Sequence, residues 1–416
     1  MLEAFLARSH AECPNPAAVS TNTPTSLRVL ARMRAWKNVG TVANALRRDG
    51  ASEALSRDAL DDCHLYYFFS LFRLGEAPHG YLKSELSSFL ESRAKSTSSV
   101  EGGHKEVLTT RALRLLQAEL RQYVEIGASQ PVRQAAQRIC IDELGRLQEH
   151  FWAAAHPNGE PIENDNLLWW RRVTMSIVNV ATKAGNWQVA LSMLQKLREV
   201  NQQPQPQRTS TAYDIEILSR IAKVFLQMGN LDEARRYLSI AECIEKNATS
   251  EQAQPCVRIL LNRGLLAFAE GDYGKAIEIF DTAIQIEKQK RQEQTFSFAG
   301  IEDEDAGGRI GDNNNDHSRT LFVGIDIESN VMVEALNNFA ICCMYTCDLH
   351  RATERLEAFI LEDPTSNITD AVIFNLCTMY ELSCDNKTTI AKKRVLQQAA
   401  QRFSIHDVSV GAFRIA

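Results

Sequence analysis

The chain has 416 residues, 44% hydrophobic and 24% charged, with a formal charge of −6 at pH 7. That balance is that of a globular protein and excludes a disordered one, while the acidic sum weighs against a dedicated nucleic-acid binder with its basic face. The length suits two or three ordinary domains or one long repeat array.

The opening "MLEAFLARSHAECP" has no basic n-region, and Glu3 and Arg8 interrupt its apolar run. No window approaches the roughly 18 uninterrupted apolar residues of a membrane-spanning helix. The ten cysteines are therefore read as reduced thiols in a cytosolic protein, and the sequons at Asn247, Asn367 and Asn386 as chance matches. Residues 1–27 are expected to be a flexible segment.

Residues 28–165 read as degenerate helical hairpins. "LARMRAWKNVGTVANALRRDG" is a partial unit. "DDCHLYYFFSLFRLGEAPHGYLKSELSSFL" and "RALRLLQAELRQYVEIGASQPVRQAAQRICIDEL" each run helix, glycine turn, helix. In "LLWWRRV", Trp169 and Trp170 beside Arg171 and Arg172 fit the buried edge of a helix with a charged flank.

Residues 166–287 carry the clearest signal. In "LLNRGLLAFAEGDYGKAIEIFDTAIQIE", Leu260, Gly264 and Ala267 share one helical face. After the turn at Gly271, Ala276, Phe280 and Ala283 share another. Gly264 permits close approach of a second helix, the alanines permit the same from the other side, and Phe280 fills the layer between. That alternation of small and bulky positions is the logic of a tetratricopeptide hairpin. "LSRIAKVFLQMGNLDEARRYLSIAECI" repeats it with Leu218, Ala222 and Phe225, a turn at Gly229, then Ala234, Leu238 and Ala241. "SIVNVATKAGNWQVALSMLQKL" gives Val178 and Ala181, a turn at Gly185, then Ala190, Leu194 and Leu197. The turns lie 44 and 42 residues apart, longer than the usual period of about 34. The surplus falls in the polar loops "NQQPQPQRTST" and "KNATSEQAQP".

Residues 288–328 read as a polar, acidic insertion loop, least ordered around "FAGIEDEDAGGRIGDNNNDHSRT". "DNNNDH" from Asp312 mimics a calcium loop, but its sixth and twelfth positions hold His317 and Val323 in place of glycine and glutamate. "AGGRIG" follows no strand and precedes no clear helix, so the phosphate-cradle reading fails. "GDYGKA" has Ala269 and Ala276 where a nucleotide loop needs glycine and a hydroxyl.

Residues 329–416 read as a further hairpin plus capping helices. Leu336, Ala340 and Cys343 precede a turn at Cys347; Ala352, Leu356 and Phe359 follow it, and Pro364 stops the unit. "CCMYTCDLH" gathers Cys342, Cys343, Cys347 and His350, whose spacing departs from the tight pairs of zinc sites, and Cys343 already serves as a small packing residue. "AVIFNLCTMYELSCDNKTTIAKKRVLQQAAQRF" is a terminal hairpin. No HExxH, GxSxG or CxxC occurs. Thus no residue is nominated for catalysis, cofactor or metal, and the fold expected is an all-α, right-handed tetratricopeptide solenoid.

"LLQAELRQYV", "LWWRRVTMSIVNVATKAGNWQVALSML", "LNNFAICCMYTCDLHRATERLEAFILEDP" and above all "VIFNLCTMYEL" resemble the subunit 12 family of the TRAPP (trafficking protein particle) complex. The resemblance runs from about Asp58 onward and is best between Leu167 and Leu382. It implies a non-catalytic tetratricopeptide scaffold of a TRAPPIII-type membrane-tethering assembly. Such a subunit serves ER–Golgi transport and autophagy and joins other large subunits. The whole complex activates a Rab GTPase, which this subunit meets only indirectly. Membrane contact would come through partners, at the ER–Golgi intermediate or Golgi, and nucleic acid is not a partner. Set beside animal members of that family, the sequence is expected to be without their long N-terminal extension and to carry an extra insertion.

Two other readings stand beside it. One is an adaptor that binds linear peptides in its concave groove within another assembly. The other is a metal protein or enzyme built on Cys342, Cys343, Cys347 and His350. A clamp for a terminal carboxylate is not expected, because the inner-face positions Leu261, Leu265, Ser219 and Lys223 gather no basic and amide cluster. Residues that bind partners are not legible in the sequence.

Overall fold

A computed structural model describes residues 27, 30, 36–48, 57–74, 79–98, 108–124, 128–156, 165–202, 211–248, 256–299, 331–403, 405 and 407–414. The segment 300–330, with most of the insertion, and nearly all of 1–27 lie outside the described residues. Every regular element among those described is helical, in keeping with the 3.6-residue spacing of their apolar positions.

The chain divides into two compact units, Gln134–Cys347 and a discontinuous one formed by Met1–Arg133 with Asp348–Ala416. In the discontinuous unit the early helices are α1 (Trp36–Arg48), α2 (Arg57–Leu74), α3 (His79–Ser98) and α4 (Leu108–Leu120). α1 packs on α2 through Trp36 and Phe69, whose rings meet edge-on at 5.2 Å. Lys83 of α3 donates to the Tyr123 carbonyl at 3.0 Å, and Gln117 of α4 to Ser87 of α3 at 2.8 Å.

The continuous unit begins with α5 (Gln130–Ala155), whose first residues precede the division, followed by α6 (Asp165–Lys183) and α7 (Trp187–Gln202). Next come α8 (Thr211–Gln227), α9 (Leu231–Ala248), α10 (Val257–Ala269), α11 (Tyr273–Ala299) and α12 (Val331–Tyr345). The pairs α6/α7, α8/α9 and α10/α11 are hairpins. The first helix of each later hairpin packs on the hairpin before it, α10 against both α8 and α9. Ala190, Leu194, Ala222, Ala234, Leu238, Ala276, Phe280, Ala283 and Ala340 are buried, and Gly264 with them. Phe225 is only half-buried, stacked on Tyr237 at 5.5 Å. One core layer joins Ile215 and Leu218 of α8, Ala241 of α9 and Ile259 of α10.

α11 continues to Ala299, beyond Lys288, where the sequence places the start of the insertion. The run "KQKRQEQ" is charged, which reads as loop, yet Lys, Gln, Arg and Glu are all good helix formers.

The turns repeat one device. Gly185, Gly229, Gly271 and Cys347 have φ of 71°, 77°, 82° and 62°, the left-handed region. At Gly185 the amide donates to the Thr182 carbonyl, and the next amide, Asn186, to Ala181 at 2.8 Å. The pattern recurs at Gly229/Asn230 and Gly271/Asp272 and is the Schellman closure of a helix. The residue after the left-handed one then caps the next helix. Asn186, Asn230, Asp272 and Asp348 accept from Val189, Glu233, Lys275 and Arg351 at 3.4, 3.2, 3.1 and 3.3 Å. Two residues therefore end one helix and begin another.

The discontinuous unit resumes with α13 (Leu349–Glu362), α14 (Pro364–Asn367), α15 (Asp370–Ser383), α16 (Asn386–Arg402) and a 3₁₀ turn, Val410–Phe413. Ala352 and Leu356 are buried, and Pro364 opens α14, where its missing amide costs nothing. Thr369 and Asp385 cap α15 and α16 by accepting from Val372 and Thr388 at 3.4 and 3.1 Å.

Candidate interaction surface

In the continuous unit the first helices α6, α8, α10 and α12 lie in sequence, and polar side chains tie them together. Arg220 of α8 donates to Asn179 of α6 at 2.8 Å and to Glu216 on its own helix. The other oxygen of Glu216 pairs with Arg258 of α10 at 2.6 Å. One carboxylate thus holds guanidinium groups from two repeats, each side chain under a quarter exposed. Lys223 reaches Glu334 of α12 at 3.6 Å. Inside the stack, the buried Asn262 of α10 donates to the Ser219 carbonyl of α8 at 2.8 Å. These bonds fix the register between repeats, where the hydrophobic layers alone would tolerate sliding.

The structure corrects one expectation here. Ser219 and Leu261 are 1% exposed, packed between helices rather than lining an open face. Of the inner-face positions Leu261, Leu265, Ser219 and Lys223, two therefore face inward. The Arg220–Glu216–Arg258 set that does occupy the face satisfies itself.

At the N-terminal side of α8, the Tyr213 phenol is pushed up to about 12 by burial, against the lowering effect of Arg171 and Arg220. The Arg171 guanidinium lies 5.5 Å from its ring. Trp169 and Trp170 are 2% and 0% exposed. Arg172 sits over Trp169 at 5.0 Å, and Trp152 of α5 packs on Trp170 at 4.9 Å. The tryptophans are structural, not a stacking platform for a ligand.

The turn edge carries an aromatic cluster that repeat periodicity did not reveal. Tyr273 and Tyr345 stack at 4.8 Å, and Phe268 meets them at 5.3 and 5.4 Å. Tyr345 is 53% exposed. The three come from α10, α11 and α12, and only the folded register brings them together.

A cleft of about 200 Å³ opens between α9, α10 and α11. Its charged lining is paired: Arg235 with Glu270 at 2.5 Å and Arg263 with Glu242 at 3.3 Å. Among the described residues, Lys275 is the lining charge without such a pair.

The cysteine group is split by burial. Cys342 and Cys343 are fully buried, and burial, with Cys343 beside it, pushes the Cys342 thiol up to about 11. Cys347 is exposed in its turn, while the His350 ring, largely exposed, faces Glu354 at 3.7 Å. Among the described residues no group of three His, Cys, Asp or Glu side chains could hold a metal ion.

Residues 257–290, α10 with most of α11, match the family model described as Tetratricopeptide repeat. Over 71% of its length the chain is similar to Trafficking protein particle complex subunit 12 of Mus musculus at 22% identity, and of Homo sapiens at 20%. It spans about a third of those relatives, 31% and 34%. Among solved structures it is similar to BtubC from P. vanneervenii, with TM-score 0.39, 14% identity, and coverage of 65% and 91%. It is also similar to a Rap protein complexed with competence and sporulation factor, with TM-score 0.40, 12% identity and 96% coverage of each chain. Likeness at those scores carries no functional weight.

Proposed function

We propose that this chain is a non-catalytic scaffold subunit of a TRAPP-type tethering complex, joining other large subunits through its helical array. The observation that carries the reading is the similarity to subunit 12 across 71% of the chain. The tetratricopeptide match at 257–290 supports it, since stacked hairpins present extended surfaces suited to protein recognition. Nucleotide exchange on a Rab-type GTPase, in ER–Golgi transport and autophagy, then belongs to the assembly, and this subunit contributes architecture. Membrane association comes through partners at the ER–Golgi intermediate or Golgi, and no helix among the described residues is long and apolar enough to cross a membrane.

The test is affinity purification of the tagged chain under gentle lysis, followed by mass spectrometry. Other large TRAPP subunits are expected in stoichiometric amounts, and their absence would sink the proposal. A second reading, an adaptor for linear peptides, is favoured by the Phe268–Tyr273–Tyr345 cluster, whose Tyr345 ring is exposed. Recovery of unrelated partners whose binding is lost in Tyr345→Ala would select it.

A further inference from the structure

The charges of α16 are distributed unlike those of α7, α9, α11 and α13. Asn386–Arg402 carries Lys387, Lys392, Lys393, Arg394 and Arg402 and no carboxylate, in a chain whose formal charge is −6. The other four helices all carry acids. On α9 the outward cations are neutralised within the helix, Arg235 by Asp232 at 2.9 Å and Arg236 by Glu233 at 3.2 Å. In α16 the positions three and four residues from Lys387 and Arg394 hold Ser383, Cys384, Ile390, Ala391, Gln397 and Gln398, so no such pair can form.

Packing accounts for two of these cations. Lys392 pairs with Glu357 of α13 at 3.3 Å and lies 4.6 Å over the Tyr380 ring. Lys393, 4% exposed, pairs with Glu381 of α15 and donates to the Arg414 carbonyl at 3.0 Å. Arg394, next in the run, is exposed, as is Lys387 seven residues earlier, and neither has a carboxylate partner among the described residues. Between them Ile390 is 39% exposed and Ala391 is exposed as well. The four form one stripe, its two cations about 10 Å apart along the helix axis. Lys387 stands in the first turn, where the free amides already make the helix end positive, so helix stability does not explain it.

We infer that this stripe docks an acidic helix of a partner protein. That helix sets two carboxylates, seven residues apart, against Lys387 and Arg394, and an apolar side chain against Ile390 and Ala391. Charge complementarity names the occupant: the stripe is positive, it holds no acid, and among the described residues no carboxylate answers it. The form of the occupant follows from the spacing. Cations one heptad apart that flank an apolar centre are met, in paired helices, by carboxylates at the same spacing. The small Ala391 leaves room for a second helix at the usual interaxial distance of about 8–10 Å. An anionic membrane or a nucleic acid fits less well, because its charge is continuous and Asp385, exposed at the head of the same helix, would be set against it. The partner is defined by its chemistry, whichever assembly the chain joins.

The test uses the complex purified through the full chain. A carbodiimide condenses a lysine amine with a carboxylate in contact, forming an amide while the reagent takes up the water as a urea. Mass spectrometry should find Lys387 joined to Asp or Glu in an amphipathic helical segment of another protein. In the double variant Lys387→Glu with Arg394→Glu, both sites being exposed, the melting temperature should hold. Its affinity for that protein should fall at least about tenfold, since like charges then meet across the contact. Changing the partner's two carboxylates to lysine should restore binding to the double variant. Vesicles containing phosphatidylserine should sediment without the chain. Coupling of Lys387 only to carboxylates of this chain, in the same or a second copy, would overturn the inference. So would undiminished affinity in the double variant, or vesicles that bind the chain through these two residues. If Lys387 finds no foreign carboxylate while large TRAPP subunits still co-purify, the inference fails and the proposed function stands; a foreign helix coupled to Lys387 with no TRAPP subunit present gives the reverse.

Discussion

A β-carbon on Gly264 would lie 2.4 Å from Cε1 of Phe280 and 2.7 Å from its Cζ. Phe280 is 0% exposed, so its ring has nowhere to go. The glycine is the hole and the phenylalanine the knob of one hairpin. Gly264→Ala should therefore destabilise by about 1–3 kcal/mol, the usual cost of overpacking a core. Urea denaturation of Gly264→Ala, Phe280→Leu and the double variant would show it. The double should lose less than the sum of the singles, because the smaller side chain relieves the clash.

The turns predict opposite signs for two substitutions. Gly271 has φ 82°, so Gly271→Ala should cost about 1–2 kcal/mol, the penalty of an L-residue in the left-handed region. Cys347 already bears that penalty at φ 62°, and Cys347→Gly should stabilise by up to about 1 kcal/mol after the entropy lost by a freer unfolded chain. Thermal melts of both variants check the signs.

The caps predict a third loss. Asp272→Ala removes the acceptor for the Lys275 amide and should cost about 1 kcal/mol, whereas Asp272→Asn should cost much less. Chemical denaturation of the two variants separates them.

Thiol chemistry distinguishes a structural cysteine group from a reactive one. The Cys342 thiol, raised to about 11 by burial, and the buried Cys343 should resist iodoacetamide at neutral pH. Cys347 and Cys243, both exposed, should be alkylated. Mass spectrometry of the native protein reads the sites directly, and labelling of Cys342 at the rate of Cys347 would contradict the packing.

The contact of the C-terminal 3₁₀ turn with α15, where Arg414 pairs with Glu381 at 3.0 Å, should loosen in acid. The Lys393 hydrogen bond, joined by the Arg414 charge, holds the Glu381 carboxyl below its ordinary value. A depressed carboxylate stabilises the fold above that ordinary value, and the contribution is lost as pH falls through the lowered one. The protection factor of the Arg414 amide, its exchange rate corrected for the intrinsic pH dependence, should fall below about pH 4 and stay flat between pH 6 and 8. Glu381→Gln should remove the acid step.

Much of this was legible in the chain because it is local. The pairs Gly-Asn, Gly-Asn, Gly-Asp and Cys-Asp mark the turns from Gly185 to Asp348, and each needs only a left-handed residue followed by a capping side chain. Ala276, Phe280 and Ala283 follow from periodicity alone. The Arg220–Glu216–Arg258 set was not legible, because its members sit on helices joined by loops of unequal length, and register across a loop is set by packing. The same holds for Phe268, Tyr273 and Tyr345. The turn Val410–Phe413 was hidden for a different reason: a four-residue 3₁₀ turn has no period to read. Of the insertion loop expected over 288–328, residues 288–299 are helical and the remainder lies outside the described residues.

The central claim is that this array joins other large subunits of a TRAPP-type assembly. Cross-linking mass spectrometry of the complex purified through this chain tests it most directly. The account predicts cross-links from lysines of this chain, Lys223 and Lys275 among them, to at least one other large TRAPP subunit. A chain that purifies without such subunits, or co-purifies with them and shows only internal cross-links, would contradict it.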